Sequence, residues 1–130
     1  MTAEFETAFA EGVQLFNEKR FFECHEIWEH LWMNESDADR AQVLKGLLQA
    51  AIAIHHFRRN NFEGARKLYE GQRRILAPYL PSALGLDLAT FARAMEDCCV
   101  VLTTIQPGDA PRIDPNKIPE LRPWPESGSR

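Results

Sequence analysis

Between Phe21 and Trp32 the chain reads Phe-Phe-Glu-Cys-His-Glu-Ile-Trp-Glu-His-Leu-Trp, which puts three carboxylates and two imidazoles within eight residues. Side chains four apart on a helix are neighbours on one face, so His25 and Glu29 can reach a single proton or ion. Glu26 and His30 repeat that spacing farther round, and Glu23 lies behind them. At helical periodicity Phe21, Cys24, Ile27, Trp28, Leu31 and Trp32 fall on one apolar arc, so the ionisable groups stand at the edge of a core face. Farther along, His55 shares the apolar stripe of Leu44, Leu48, Ala51 and Ile52 and is expected to be partly buried, whereas His56 shares a face with Lys45 and Gln49. If these two segments pack, His55 approaches His25 and Glu29. The three then make a His/His/Glu ligand set for zinc, iron or manganese, with Glu26 as a fourth ligand or as the general base that activates water.

The same residues support two other readings. In the first, Glu23, His25, Glu29, Trp32 and His55 line a groove between helical hairpins that takes a small molecule or a partner protein. In the second, the cluster serves stability or dimerisation alone. A histidine at the edge of a core needs a carboxylate or carbonyl partner, and a His25–Glu29 pair meets that need locally. The zinc-protease pattern His-Glu-x-x-His is not met, because Glu29 stands at the second histidine's place and His30 comes one residue late. Nucleophilic chemistry finds no support: there is no Gly-rich phosphate loop and no Gly-x-Ser-x-Gly. Cys24 and His25, adjacent on a helix, diverge by ~100° and cannot form a thiolate–imidazole pair.

The elements that must position these residues are all helical, because apolar residues recur at three- and four-residue intervals with no run of strict alternation. The periodicity predicts helices from about Ala3 to Phe16, Phe21 to about Met33, about Ala38 to Arg59, and Phe62 to a stop before Pro78, then a fifth capped by Asp87 and reaching about Thr104. A shift of 41 residues lays Phe16 on Phe57, Phe21 on Phe62, Cys24 on Ala65, Ile27 on Leu68 and Trp28 on Tyr69. This echo predicts two similar hairpins packed side by side, much as in tetratricopeptide arrays although the period exceeds the ~34 residues of that repeat, with a five-helix bundle as the near alternative. Residues 1–105 are thus expected to form the helical bundle. Prolines at 107, 111, 115, 119, 123 and 125 forbid a regular helix beyond it. With Ile113, Ile118, Leu121 and Trp124 spaced among them, residues 106–130 are expected to run extended and to wrap the body, their own or a neighbour's.

The chain's 130 residues suit one domain, and 45% hydrophobic with 26% charged residues is ordinary globular composition. An acidic opening and the lack of ~18 consecutive apolar residues argue against a secretory signal or a membrane span. Three cysteines without paired spacing fit reduced thiols, and the expected compartment is the cytoplasm. The net charge of −4 conceals an asymmetry, with ten acidic against three basic residues over 1–40 and six basic against two acidic over 58–74. The basic residues are spread around a helix with few aromatics among them, so nucleic acid is not an expected partner.

The chain resembles the prokaryotic family called domain of unknown function 309. The resemblance rests on Phe21-Phe22-Glu23-Cys24-His25-Glu26-x-x-Glu29-x-x-Trp32, on Lys45-Gly46-Leu47-Leu48-Gln49-Ala50-Ala51 leading to His55, on Asn60-x-x-x-Gly64-Ala65 and on Gly85-Leu86-Asp87, and covers roughly residues 10–105. Lys45 stands where that family usually has glutamine. The resemblance implies an all-helical bundle sharing a constellation of Glu23, His25, Glu26, Glu29 and His55, and it implies no established activity.

Overall fold

The computed structural model describes residues 2–125. The protein is all-α. Five helices, α1 (Ala3–Asn17), α2 (Phe21–Met33), α3 (Ala38–Arg58), α4 (Phe62–Leu76) and α5 (Leu88–Cys99), are joined by short turns, with one small hairpin of β1 (Ser82–Ala83) and β2 (Leu86–Asp87) before α5. Four helices begin where a short polar side chain satisfies an otherwise orphaned amide. Thr2 accepts from the Phe5 N–H, Asp37 from Arg40, Asn61 from Gly64 and Asp87 from Thr90, at 2.9–3.2 Å.

Helix α3 is the centre, packed between α2 on one side and α4 on the other. Its buried residues, among them Val43, Leu44, Leu47, Ala50, Ala53, Ile54 and Phe57, encircle it, as a helix covered on several sides requires. Of the stripe expected to bury His55, Leu44 and Ala51 are buried while Leu48, Ile52 and His55 keep partial access to solvent.

The 41-residue echo is visible in local geometry. Phe16 meets Phe21 edge-on at 5.0 Å and Phe57 meets Phe62 edge-on at 6.2 Å. Each turn passes through one left-handed residue, Lys19 (φ 65°) and Asn60 (φ 64°), which occupy equivalent places. Gly12 faces Trp28, and Ala53 and Tyr69, which hold the corresponding positions 41 residues on, are both buried. All three thiols are free and buried, and Cys24 sits in the core.

Two features differ from the sequence expectation. Helix α5 stops at Cys99, and Val100–Thr104 tighten into a 3₁₀ turn rather than continuing the α-helix. The segment is β-branched at four of five positions, and the Thr103 and Thr104 hydroxyls donate to the Val100 and Val101 carbonyls at 2.7 and 3.4 Å, competing with helical bonding. The hairpin was not expected. It forms because Leu84 and Gly85 both take positive φ, the two-residue turn that matches strand twist.

The proline-spaced segment touches this hairpin. Asp87 donates its N–H to the Arg122 carbonyl and Trp124 to that of Gly85 (2.9 and 2.8 Å), and Asn17 exchanges two hydrogen bonds with the backbone of the buried Leu121. Residues 126–130 of the expected tail lie outside the described residues.

Candidate functional site

Helix α2 carries the ionisable cluster, and its buried residues Phe21, Cys24 and Trp28 anchor it against α1 and α3. That anchoring turns His25 and Glu29 toward α3 at the rim of the core. The His25 Nε2 stands 3.5 Å from Glu29 Oε2, one helical turn away. The other ring nitrogen, Nδ1, is buried with no hydrogen-bond partner, an arrangement that costs free energy unless something else supplies the bond.

Opposite this pair, α3 contributes Lys45 and Gln49, and the four polar groups share a cleft of about 270 Å³. Its walls are apolar: Trp32 from α2, Leu48 and Ile52 from α3, Leu68 from α4. The Gln49 carboxamide reaches in against α4 because residue 71 is glycine. A Cβ there would lie 2.6 Å from Gln49 Oε1, which is itself buried and without a hydrogen-bond partner. A carboxylate, a cation, an imidazole and a carboxamide thus converge on one apolar-walled space, and two of the four carry an unsatisfied buried atom.

The remaining sequence candidates lie elsewhere. Glu23 is exposed and bonded to Arg20 at 2.8 Å, which holds its carboxyl below the usual carboxylate range. Glu26 is exposed and, like Glu23, does not line the cleft. His55 is also outside it. The half-exposed Phe22 ring lies 6.2 Å from the His25 ring and 5.6 Å from that of His55, centre to centre, so an aromatic flanks both imidazoles. His56 sits 6.1 Å beyond His55 and its Nδ1 pairs with the Asn61 carboxamide at 3.2 Å. Among the described residues no three His, Cys, Asp or Glu side chains are placed to hold one metal ion. Lys45 and Gln49 are the residues that sequence reasoning left out of the site. Their four-residue spacing was the available signal: it marks a face of α3 on water or a polar cleft, without naming the residues across from it.

Burial holds the His55 pKa below the ordinary imidazole value, and the nearby Arg59, His56, Arg58 and His25 act in the same direction. The unfolded chain therefore takes up a proton, as pH falls through ~6.5, that the folded chain refuses. Stability is expected to be level above that point, to decline as pH drops below it, and to level off again once His55 titrates in the folded state. Melting midpoints from pH 7.5 to 5 check this. In His55→Gln the decline should be smaller than in the wild type; equal slopes contradict the assignment.

A wider cavity of about 720 Å³ opens between the start of α1 and the connection from α2 to α3. Arg40 meets Glu35 there at 3.2 Å and its Nε is buried without a hydrogen-bond partner, but it is the one such atom among the lining residues, against two at the cleft of His25 and Gln49.

Residues 9–68, which span α2 and α3, match the family model described as Domain of unknown function (DUF309). The chain is 32% identical over 95 residues to the uncharacterized protein YpuF of Bacillus subtilis (strain 168), an alignment covering 72% of this chain and 55% of that one. It is 26% identical over 106 residues to an uncharacterized protein of Aquifex aeolicus (strain VF5), covering 82% of this chain and 31% of that one. The chain therefore spans about half or less of the length of these curated relatives. No helix among the described residues is long and apolar enough to cross a membrane.

Proposed function

For a chain that belongs through residues 9–68 to the DUF309 family, we propose that the cleft between α2, α3 and α4 is a binding site for a small amphipathic ligand bearing both a cationic or donor group and an anionic or acceptor group. The observation that carries the reading is the convergence of Glu29, His25, Lys45 and Gln49 on an apolar-walled space, with His25 Nδ1 and Gln49 Oε1 buried and unbonded. Apolar walls supply most of the affinity in such sites, and a few fixed polar groups supply orientation. Glu29 suits the ligand's cation, Lys45 its anion, and Trp32 offers a face for its body. The tetratricopeptide-like pairing of hairpins belongs to this reading, since the cleft draws side chains from both.

The test is a fragment screen on the isotopically labelled protein, following the Trp32 indole and Gln49 carboxamide resonances. Zwitterionic and hydrogen-bonding fragments are expected to shift them saturably. Glu29→Gln and Lys45→Met should each weaken binding about tenfold, the loss of roughly 1.4 kcal/mol that one charged contact supplies. Fragments that leave these resonances still, or bind both variants undiminished, would sink the reading. Shifts produced only by peptides would transfer the site to a partner protein.

A second reading, a metal-dependent hydrolase, is favoured by the His25–Glu29 approach at 3.5 Å, which offers one imidazole and one carboxylate to a single ion. It needs His55 to move past the Phe22 ring to join them and Glu26 to serve as base. Purified protein should then carry stoichiometric zinc, iron or manganese by elemental analysis and lose it in His25→Ala. Metal content unchanged by that substitution counts against it.

A further inference from the structure

Helix α4 has a second lined face. Leu68 points into the cleft already described, and its neighbour Tyr69, rotated by ~100°, lies at the bottom of a different pocket of about 200 Å³ between α4, the turn Ala77–Tyr79 and α5. Leu76, Ala77, Leu80 and Ala92 make its walls mostly apolar. Tyr69 is 1% exposed, and its hydroxyl is buried with no hydrogen-bond partner. Buried tyrosine hydroxyls ordinarily find one. Two guanidiniums, Arg73 and Arg93, stand at the mouth, with Glu96 as the one carboxylate beside them. Among the described residues neither arginine forms an ion pair, although six other basic side chains do. Arg93 reaches only the Thr90 hydroxyl, at 3.3 Å.

A buried phenol without a well-formed hydrogen bond at the end of an apolar slot, with the Arg73 guanidinium close enough to act on it, a second guanidinium that forms no ion pair and one carboxylate beside them, has a net preference for a single negative charge carried on an apolar body. We infer that this pocket binds a small organic carboxylate, its oxygens taken by the guanidiniums and the Tyr69 hydroxyl and its hydrocarbon part lying against Leu76, Leu80 and Ala92. Arginine forks match a carboxylate's two oxygens, and the low local dielectric around the phenol strengthens its bond. A phosphate is the poorer fit, because its second charge faces Glu96 and few further donors line the slot. The Tyr69 phenol is protonated at neutral pH and able to donate, and burial, which pushes its pKa up, acts in the same direction. This site is independent of the cleft at His25, and neither stands or falls with the other.

The probe is sodium hexanoate, titrated into the full chain while amide resonances of Tyr69, Arg73, Ala92 and Glu96 are followed, with hexylammonium chloride and inorganic phosphate as parallel titrants. Hexanoate should give saturable shifts confined to these residues. Binding should weaken at least tenfold in Arg73→Gln/Arg93→Gln, whose exposed side chains can be exchanged without disturbing the core. It should weaken several-fold in Tyr69→Phe and tighten in Glu96→Gln. Unsaturable shifts, equal shifts from hexylammonium, or a double variant that binds as well as the wild type overturn the assignment. Phosphate binding at the same amides more tightly than hexanoate also overturns it, since the carboxylate would then not be the recognised head.

Discussion

Trp28→Ala is expected to lower stability by about 3–5 kcal/mol, the largest single loss in the molecule, because the ring it removes is fully enclosed and large. Trp28 stacks on Phe9 at 5.9 Å and on Phe16 at 6.1 Å, and its indole N–H donates to the Phe9 carbonyl at 3.4 Å. The ring lies in a notch that exists only because residue 12 is glycine: a Cβ at that position would stand 2.0 Å from Trp28 Nε1. This predicts a change of sign. In the wild type, Gly12→Ala forces the indole or α1 to move and should cost about 1–3 kcal/mol. In the Trp28→Ala background the obstacle is gone, and alanine's better helix propensity should make the same substitution stabilising by about 0.5–1 kcal/mol. Denaturant titration of the four proteins measures both arms. An alanine at 12 that costs the same in both backgrounds would show that the notch does not hold Trp28.

The same pair shows how far sequence carries this protein. Trp28 sits on the apolar arc of its helix, so its burial follows from periodicity. Gly12 follows from nothing local, since a glycine in a helix is explained only by what approaches it from another element. Helix number, order and most boundaries were legible because four of the five starts have a capping side chain and each stop a break in period. The exception, the early end of α5, arises from threonine hydroxyls competing for carbonyls, which a count of apolar spacing does not weigh. His25 and Glu29 were legible as a pair because both lie on one helix. Lys45 and Gln49 were not, since their membership in the site depends on how α3 is rotated against α2. The position of His55 beside Phe22 instead of Glu29 rests on the same rotation. Tyr69 corresponds to Trp28 in the 41-residue echo, and its ring is buried like that of Trp28. That the Tyr69 hydroxyl is buried without a well-formed hydrogen bond is a property of the packing around it.

Leu121→Ala should cost about 2–5 kcal/mol although Leu121 belongs to no helix or strand. The residue is 1% exposed, and the Asn17 side chain brackets it, donating to its carbonyl at 2.9 Å and accepting from its N–H at 2.7 Å. Asn17→Ala strands both backbone groups and should cost about 1–3 kcal/mol by itself. Two residues on, Pro123 bridges Leu86, so the segment ties the end of α1 to the hairpin whose Asp87 caps α5. Loosening it should reach α5 before it reaches α3, which is held on both sides by its own neighbours. Hydrogen exchange in Leu121→Ala is therefore expected to show amides of Phe91–Cys99 losing protection while those of Leu44–Ile54 exchange only through global unfolding. If both helices lose protection equally, the segment stabilises the whole bundle; if neither does and the melt is unmoved, it is not part of the folded body. Selective loss at α5 would also open the carboxylate pocket, one wall of which α5 provides, and would make occupancy of that pocket depend on a residue that touches none of it.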